Sequence, residues 1–310
     1  MKNTGRSKAY DKISPTARLT AWWRAQSGIP YALEIARAIN AEETAKKLLG
    51  SENTPEMAML SVPAIEARYG SVNYALKESG LDRVLEIACG LSPRGLEMAS
   101  NKGLYVGTDL QQISAITFPV LRRIAKREGI SEENLQFQAV NALDKEQLGK
   151  AVDIFKGQPL AICNEGLLMY LDNAEKTMVA QNIKDLLRSS GGVWITTDIA
   201  YHEIMFNAIK AIAPGSAIIK NAETGLKGVS QVTGRDFRDN YFSDEIEAVQ
   251  FYKNIGFTIR EFPMYNGDYR LSSLSAVPVV LQAFIIEILS FAKVWMLTPE
   301  TPSLNKNDQP

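Results

Sequence analysis

Val84-Leu85-Glu86-Ile87-Ala88-Cys89-Gly90-Leu91-Ser92-Pro93-Arg94-Gly95, followed by Leu104-Tyr105-Val106-Gly107-Thr108-Asp109, decides the fold. Each half contains a short, nearly continuous apolar run, the pattern of a strand buried on both faces. Gly90 permits a left-handed turn after the first run. Pro93 and Arg94 then open a helix before the second run, which ends in a carboxylate. The texture repeats downstream. Strands are expected at 83–88, 104–109, 135–140, 159–164, 193–199, 257–264 and 293–297, and helices at 93–100, 113–127, 145–152 and 174–189. Consecutive strand–helix units imply parallel strands, because each crossover needs a helix. The expectation is an α/β, doubly wound sheet with helices on both faces.

Outward from this core, residues 1–80 read as a helical cap, with helices at 16–27, 31–40, 41–49 and 57–66 punctuated by Pro15, Pro30, Pro55 and Pro63. Residues 81–310 form the expected core, within which 201–241, carrying Gly215, Gly225, Gly228 and Gly234, read as an insertion or lid. The apolar stretch 274–297 is long enough to span a bilayer, but Pro278, Gln282, Glu287 and Lys293 interrupt it. A charge at the bilayer centre costs about 2.5–3.5 kcal/mol, so the stretch reads as a buried helix plus a strand. The tail after Pro299 is expected to fray.

The 310 residues are 45% apolar and 22% charged, which excludes wholesale disorder. A net charge of −1 lacks the basic excess of a phosphate-neutralising nucleic-acid binder. Cys89, Cys163 and the single His202 make a poor metal set, so no metal is expected. The polar opening MKNTGRSKAYDKISP has no signal-type apolar region, which points to the cytoplasm.

In an open α/β sheet, ligands bind beyond the carboxyl ends of the strands. That rule selects 89–95, 109–112, 141–144, 164–170 and 199–203. Gly90 lets a ligand approach the backbone, and Asp109 can accept both hydroxyls of a ribose. Dinucleotide sites and S-adenosylmethionine sites share this pair; a tight turn with a helix-capping aspartate is the plain alternative. Ala88 and Ser92 stand where a G-x-G-x-x-G pattern would place glycines, which weakens a pyrophosphate reading. Glu86 would repel a diphosphate and suits a cationic ligand, a sulfonium with an α-ammonium.

The next informative stretch is Cys163-Asn164-Glu165-Gly166-Leu167-Leu168-Met169-Tyr170-Leu171. Together, VLEIACGLSPRG, YVGTDL and NEGLLMYL resemble the leucine carboxyl methyltransferase-like family, and within it the bacterial O-methyltransferases of polyketide-type metabolites. Thr16-Ala17 with Arg24-Ala25 is similar to that branch's opening. The resemblance implies a seven-stranded, Rossmann-like class I methyltransferase fold with the last strand antiparallel, and S-adenosylmethionine as methyl donor. It implies Gly90 under the methionine part, Asp109 on the ribose with Leu110 beside it, and Asn141 and Ala142 by the adenine. It places Glu165 against the methionine end, and Arg94 or Arg24 on the cofactor carboxylate, where a guanidinium fork fits. Ala88 replaces a usual glycine, and Asn141 stands where related sites often carry Asp.

His202 and Tyr201 follow the fifth expected strand, at the functional edge. His202 can act as general base toward a hydroxyl acceptor or be a plain loop histidine; a carboxylate acceptor needs no base. The expected activity is methyl transfer from S-adenosylmethionine to a small-molecule acceptor at oxygen, without nucleic-acid or membrane partners. The rivals are an NAD(P)-dependent oxidoreductase and a non-catalytic S-adenosylmethionine-binding protein.

Overall fold

A computed structural model describes residues 14–50, 55–199 and 240–301 of the chain. Four helices come first: α1 (Ser14–Arg24), α2 (Ala32–Ala38), α3 (Ala41–Leu49) and α4 (Pro55–Ser79). The alternating region follows as β1 (Arg83–Ile87), α5 (Arg94–Ser100), β2 (Leu104–Asp109), α6 (Gln111–Arg127), β3 (Leu135–Ala139), α7 (Lys145–Val152), β4 (Leu160–Asn164), α8 (Asn173–Ser190) and β5 (Gly192–Thr196). The last elements are α9 (Glu245–Ile255), β6 (Phe257–Pro263), α10 (Val279–Phe291) and β7 (Lys293–Pro299).

The seven strands form one sheet in the order β3-β2-β1-β4-β5-β7-β6. The first five are parallel, and β7 inserts antiparallel between β5 and β6. The strand order reverses between β1 and β4, which opens a crevice at their carboxyl ends. Side chains alternate between two cores. Val84, Ile195 and Met296 join one cluster with Val72, Ala75 and Leu76 of α4 and Ile35 of α2. Leu85, Trp194 and Trp295 join the other, under α7, α8 and α9. The N-terminal helices thus share a core with one face of the sheet.

Two boundaries depart from the sequence reading, each for a local reason. Helix α4 does not stop after Pro63 but runs on to Ser79. A proline removes one helical hydrogen bond; burial of Ala67, Tyr69, Val72, Ala75 and Leu76 further along holds the helix together. The Glu66 carboxylate fixes this helix in place by accepting from the backbone N–H and hydroxyl groups of both Ser272 and Ser273. Strand β5 ends at Thr196, three residues before its expected end, because Asp198 turns toward the loop after β4. The stretch 274–297 divides into α10 and β7, and among the described residues no helix is long and apolar enough to cross a membrane.

Candidate active site

The turn after β1 carries two left-handed residues, Ala88 with φ 54° and Gly90 with φ 52°. The backbone therefore keeps a glycine-type conformation at Ala88 although the residue has a Cβ. The Asp109 carboxylate at the end of β2 accepts from the Gly90 N–H and the Leu110 N–H, each at 2.8 Å. Burial pushes the Asp109 carboxyl up to about 6, against the opposing effect of those two bonds. Aspartate and glycine turn are thus locked together at the crevice.

Beyond β4, Glu165 sits among three arginines. Its Oε2 accepts from Arg24 Nη2 at 3.1 Å and from Arg68 Nε at 3.2 Å, and its Oε1 accepts from Arg94 Nη2. Burial raises the Glu165 carboxyl, but the guanidiniums of Arg94, Arg24 and Arg68 outweigh it and hold the group at about 2. Arg94 is fully buried and also donates to Glu86 Oε1 at 2.5 Å, to Asn73 Oδ1 at 2.7 Å and to the Tyr69 carbonyl at 3.2 Å. The Tyr69 ring lies against Arg94 and Arg24, with its centroid 4.6 Å and 5.6 Å from their guanidinium carbons. Three guanidiniums face two carboxylates in this cluster, a surplus of one positive charge.

A cavity of about 320 Å³ occupies the crevice. Of the residues singled out from the sequence, Arg24, Gly90, Asp109, Leu110, Asn141, Ala142 and Glu165 line it. Glu86 and Arg94, also expected at the cofactor, are not among the residues that line it. Glu86 lies one layer behind, where it accepts from Arg94, from Tyr105 Oη at 2.5 Å and from Ser92 Oγ at 3.3 Å. Its charge has protein partners already. Burial raises its carboxyl, against the Arg94 guanidinium. Asn141 Oδ1 accepts from the Leu143 N–H at 3.0 Å, so the amide shapes its own turn at the rim. His202 and Tyr201 lie outside the described residues, as does the expected lid 201–241 apart from Asn240 and Tyr241.

Two residues escaped the sequence reading. Arg68 was hidden because α4 was expected to end at Glu66. Asp198 was placed inside a strand, whereas its carboxylate accepts from the N–H groups of Gly166, Leu167 and Leu168 and from Asn164 Nδ2. It clamps the turn that presents Glu165. Helix α1 closes the cavity with Thr16, Thr20, Trp23 and Arg24, and Thr16 Oγ1 hydrogen-bonds the Tyr170 hydroxyl at 2.9 Å. Of the tryptophan pair, Trp23 is buried and lines the cavity, while Trp22 is half-buried.

No family model and no curated protein matches the chain. The fold is similar to that of a putative methyltransferase from Thermobifida fusca YX, at a TM-score of 0.52 and 12% identity over 92% of this chain and 94% of that one. More distant likenesses include magnesium protoporphyrin IX methyltransferase (ChlM) from Synechocystis PCC 6803, at a TM-score of 0.46 and 12% identity over 84% and 94% of the two chains. Another is an O-methyltransferase (NcsB1) from neocarzinostatin biosynthesis, at 0.45 and 12% over 86% and 67%. The fold is the Rossmann-like fold of class I methyltransferases, seven strands with the last one antiparallel.

Proposed function

We propose that this chain is an S-adenosylmethionine-dependent methyltransferase acting at an oxygen of a small molecule, in the branch that the NEGLLMYL stretch resembles. One observation carries the reading. A single cavity at the β1–β4 switch point presents both a carboxylate suited to a ribose and a carboxylate–arginine pair suited to an α-amino acid. Asp109 would take the ribose hydroxyls, while Leu110, Asn141 and Ala142 border the adenine. Glu165 would take the ammonium. Arg24 would take the carboxylate: its Nε is buried without a hydrogen-bond partner among the described residues, an orphan donor that such a group satisfies. Arg94 would then orient Glu165 from behind.

The cofactor supplies a methyl group already activated on a sulfonium. The chain's own work is to bind and align it, exclude water and receive the acceptor. His202, with Tyr201 beside it, is the proposed base wherever the acceptor is a neutral hydroxyl. The acceptor is the partner proposed; nucleic acid and membrane are not, and the proposed location is the cytoplasm.

Calorimetry with S-adenosylhomocysteine tests the reading. One site per chain is expected, and Asp109→Ala should weaken it by about 1.5–3 kcal/mol, the scale of hydrogen bonds to a charged group. Thermal stabilisation by NAD(P) instead would establish the oxidoreductase rival. Tight S-adenosylmethionine binding without turnover on any acceptor would establish the non-catalytic one.

A further inference from the structure

A second cavity, of about 260 Å³, adjoins the first, and Ile65, Arg68 and Met169 line both. Its described walls are mainly apolar, with Phe242, Met264 and Leu289 among them. Three cations, Arg68, Lys176 and Lys293, line it together with one described carboxylate, that of Asp198. That carboxylate is committed to the turn at 166–168. The Thr197 hydroxyl, which also lines this cavity, is buried and has no hydrogen-bond partner among the described residues.

We propose that Arg68 serves two sites in turn: it neutralises Glu165 while the first cavity is empty, and it holds an anionic oxygen of an apolar acceptor in the second cavity once a cofactor ammonium engages Glu165. The inference rests on the methyltransferase reading above.

Glu165 Oε2 already accepts from two guanidiniums, so an ammonium that approaches this oxygen competes with Arg24 or Arg68. Arg94 cannot leave, because Asn73, Glu86 and Tyr69 hold its other nitrogens. Arg24 is 7% exposed and lines the first cavity alone. Arg68 is 23% exposed, reaches Glu165 through Nε only, and has no hydrogen-bond partner for its terminal nitrogens among the described residues. It is the group free to be handed over. Charge counting favours the same outcome. A zwitterionic amino-acid moiety leaves the charge of the cluster unchanged, and an oxyanion in the second cavity meets a described lining of three cations, Arg68, Lys176 and Lys293, against the one carboxylate of Asp198. A guanidinium fork matches a carboxylate, and Thr197 adds a donor. An acceptor bound as an anion needs no base, so Asp198 can remain a clamp. The cofactor should therefore bind first and the acceptor second.

The test is calorimetry on the full chain with decanoate and cinnamate, and with decanamide and cinnamamide as neutral counterparts. Saturation with S-adenosylhomocysteine should tighten the carboxylates by about tenfold, a typical coupling between sites. Saturation with 5′-methylthioadenosine, which lacks the ammonium, should not, and the amides should be insensitive to both. Arg68→Gln should abolish the tightening. Arg68→Lys should restore part of it. Absence of carboxylate binding to the loaded protein, equal tightening by both nucleosides, or amides matching the acids overturns the proposal. So does a large loss of S-adenosylhomocysteine affinity in Arg68→Gln with carboxylate binding intact. Failure of S-adenosylhomocysteine to bind the wild-type chain would instead overturn the methyltransferase reading.

Discussion

Replacing Glu165 with Gln removes one negative charge from a buried cluster and leaves Arg24, Arg68 and Arg94 facing an amide. Removing one partner of a buried ion pair costs about 3–5 kcal/mol. The carboxyl's own displacement gives a similar figure: lowering it from 4.5 to about 2 corresponds to roughly 3 kcal/mol. For 310 residues, an unfolding entropy of about 2.1 cal/mol/K per residue converts this into a Tm drop of roughly 5–8 °C. The sign with pH follows from the depressed carboxyl. The wild-type stabilisation is fully present above about pH 4.5 and is lost as the pH falls through about 2, so the stability difference between wild type and Glu165→Gln should shrink across that window. Scanning calorimetry at several pH values reads both effects. The same substitution should weaken S-adenosylhomocysteine by about 1.5–3 kcal/mol and leave 5′-methylthioadenosine nearly unchanged. A variant with wild-type Tm and wild-type affinity for both nucleosides would show that Glu165 neither holds the cluster nor meets the ligand.

Ribose hydroxyls donate to an ionised Asp109, and its carboxyl lies at about 6, so S-adenosylhomocysteine affinity should fall as the pH drops below about 6 and lose that dependence in Asp109→Asn. Titration calorimetry between pH 5 and pH 8 checks this, and an identical pH profile in the two proteins would contradict it. Ala88 holds a left-handed φ that costs about 1–2 kcal/mol for a residue with a Cβ, so Ala88→Gly should leave stability unchanged or raise it by up to about 1 kcal/mol after the entropy of the freer unfolded chain is counted. A clear loss in urea unfolding would mean that the Ala88 methyl contributes more by packing than it costs in strain. Asp198→Asn puts amide hydrogens or a single carbonyl oxygen where two oxygens now take four donors, and hydrogen exchange at Gly166, Leu167 and Leu168 should quicken selectively.

The sheet was legible because its signals are local. A buried parallel strand needs only a short apolar run, and every crossover announces itself by a helix. Gly90, Asp109 and Glu165 were legible for the same reason: Gly90 lies three residues past β1, Asp109 ends β2 and Glu165 directly follows β4, at the sheet edge where the topology alone puts ligands. The residues that were missed or misplaced depend on tertiary partners. Glu86 read as a ligand group because its sequence neighbours do not disclose Arg94, which reaches back to it from α5. Arg68 required α4 to run through Pro63, and that depends on burial along the following turns rather than on the proline. Asp198 required knowing that β5 ends early, and the N–H groups of the facing turn, which donate to its carboxylate, account for that.

The ion cluster links these cases. Each of its arginines has a local reading as a surface helix residue, and none is one. Arg94 is rigid because every nitrogen of its guanidinium is hydrogen-bonded, Arg24 retains an orphan donor among the described residues and lines the first cavity, and Arg68 spans both cavities. The three differ in how firmly the fold holds them, although their side chains are chemically identical. That gradient can turn a neutralising cluster into a selective site: the firm member orients Glu165, the intermediate one waits for a carboxylate, and the loosest one moves. Arg94→Lys tests the gradient at its firm end. A lysine cannot reproduce the fork between Glu86 and Glu165, so stability should fall while Arg68→Lys stays close to wild type. Equal losses in the two variants would mean that the cluster holds all three arginines alike and that none is free to move.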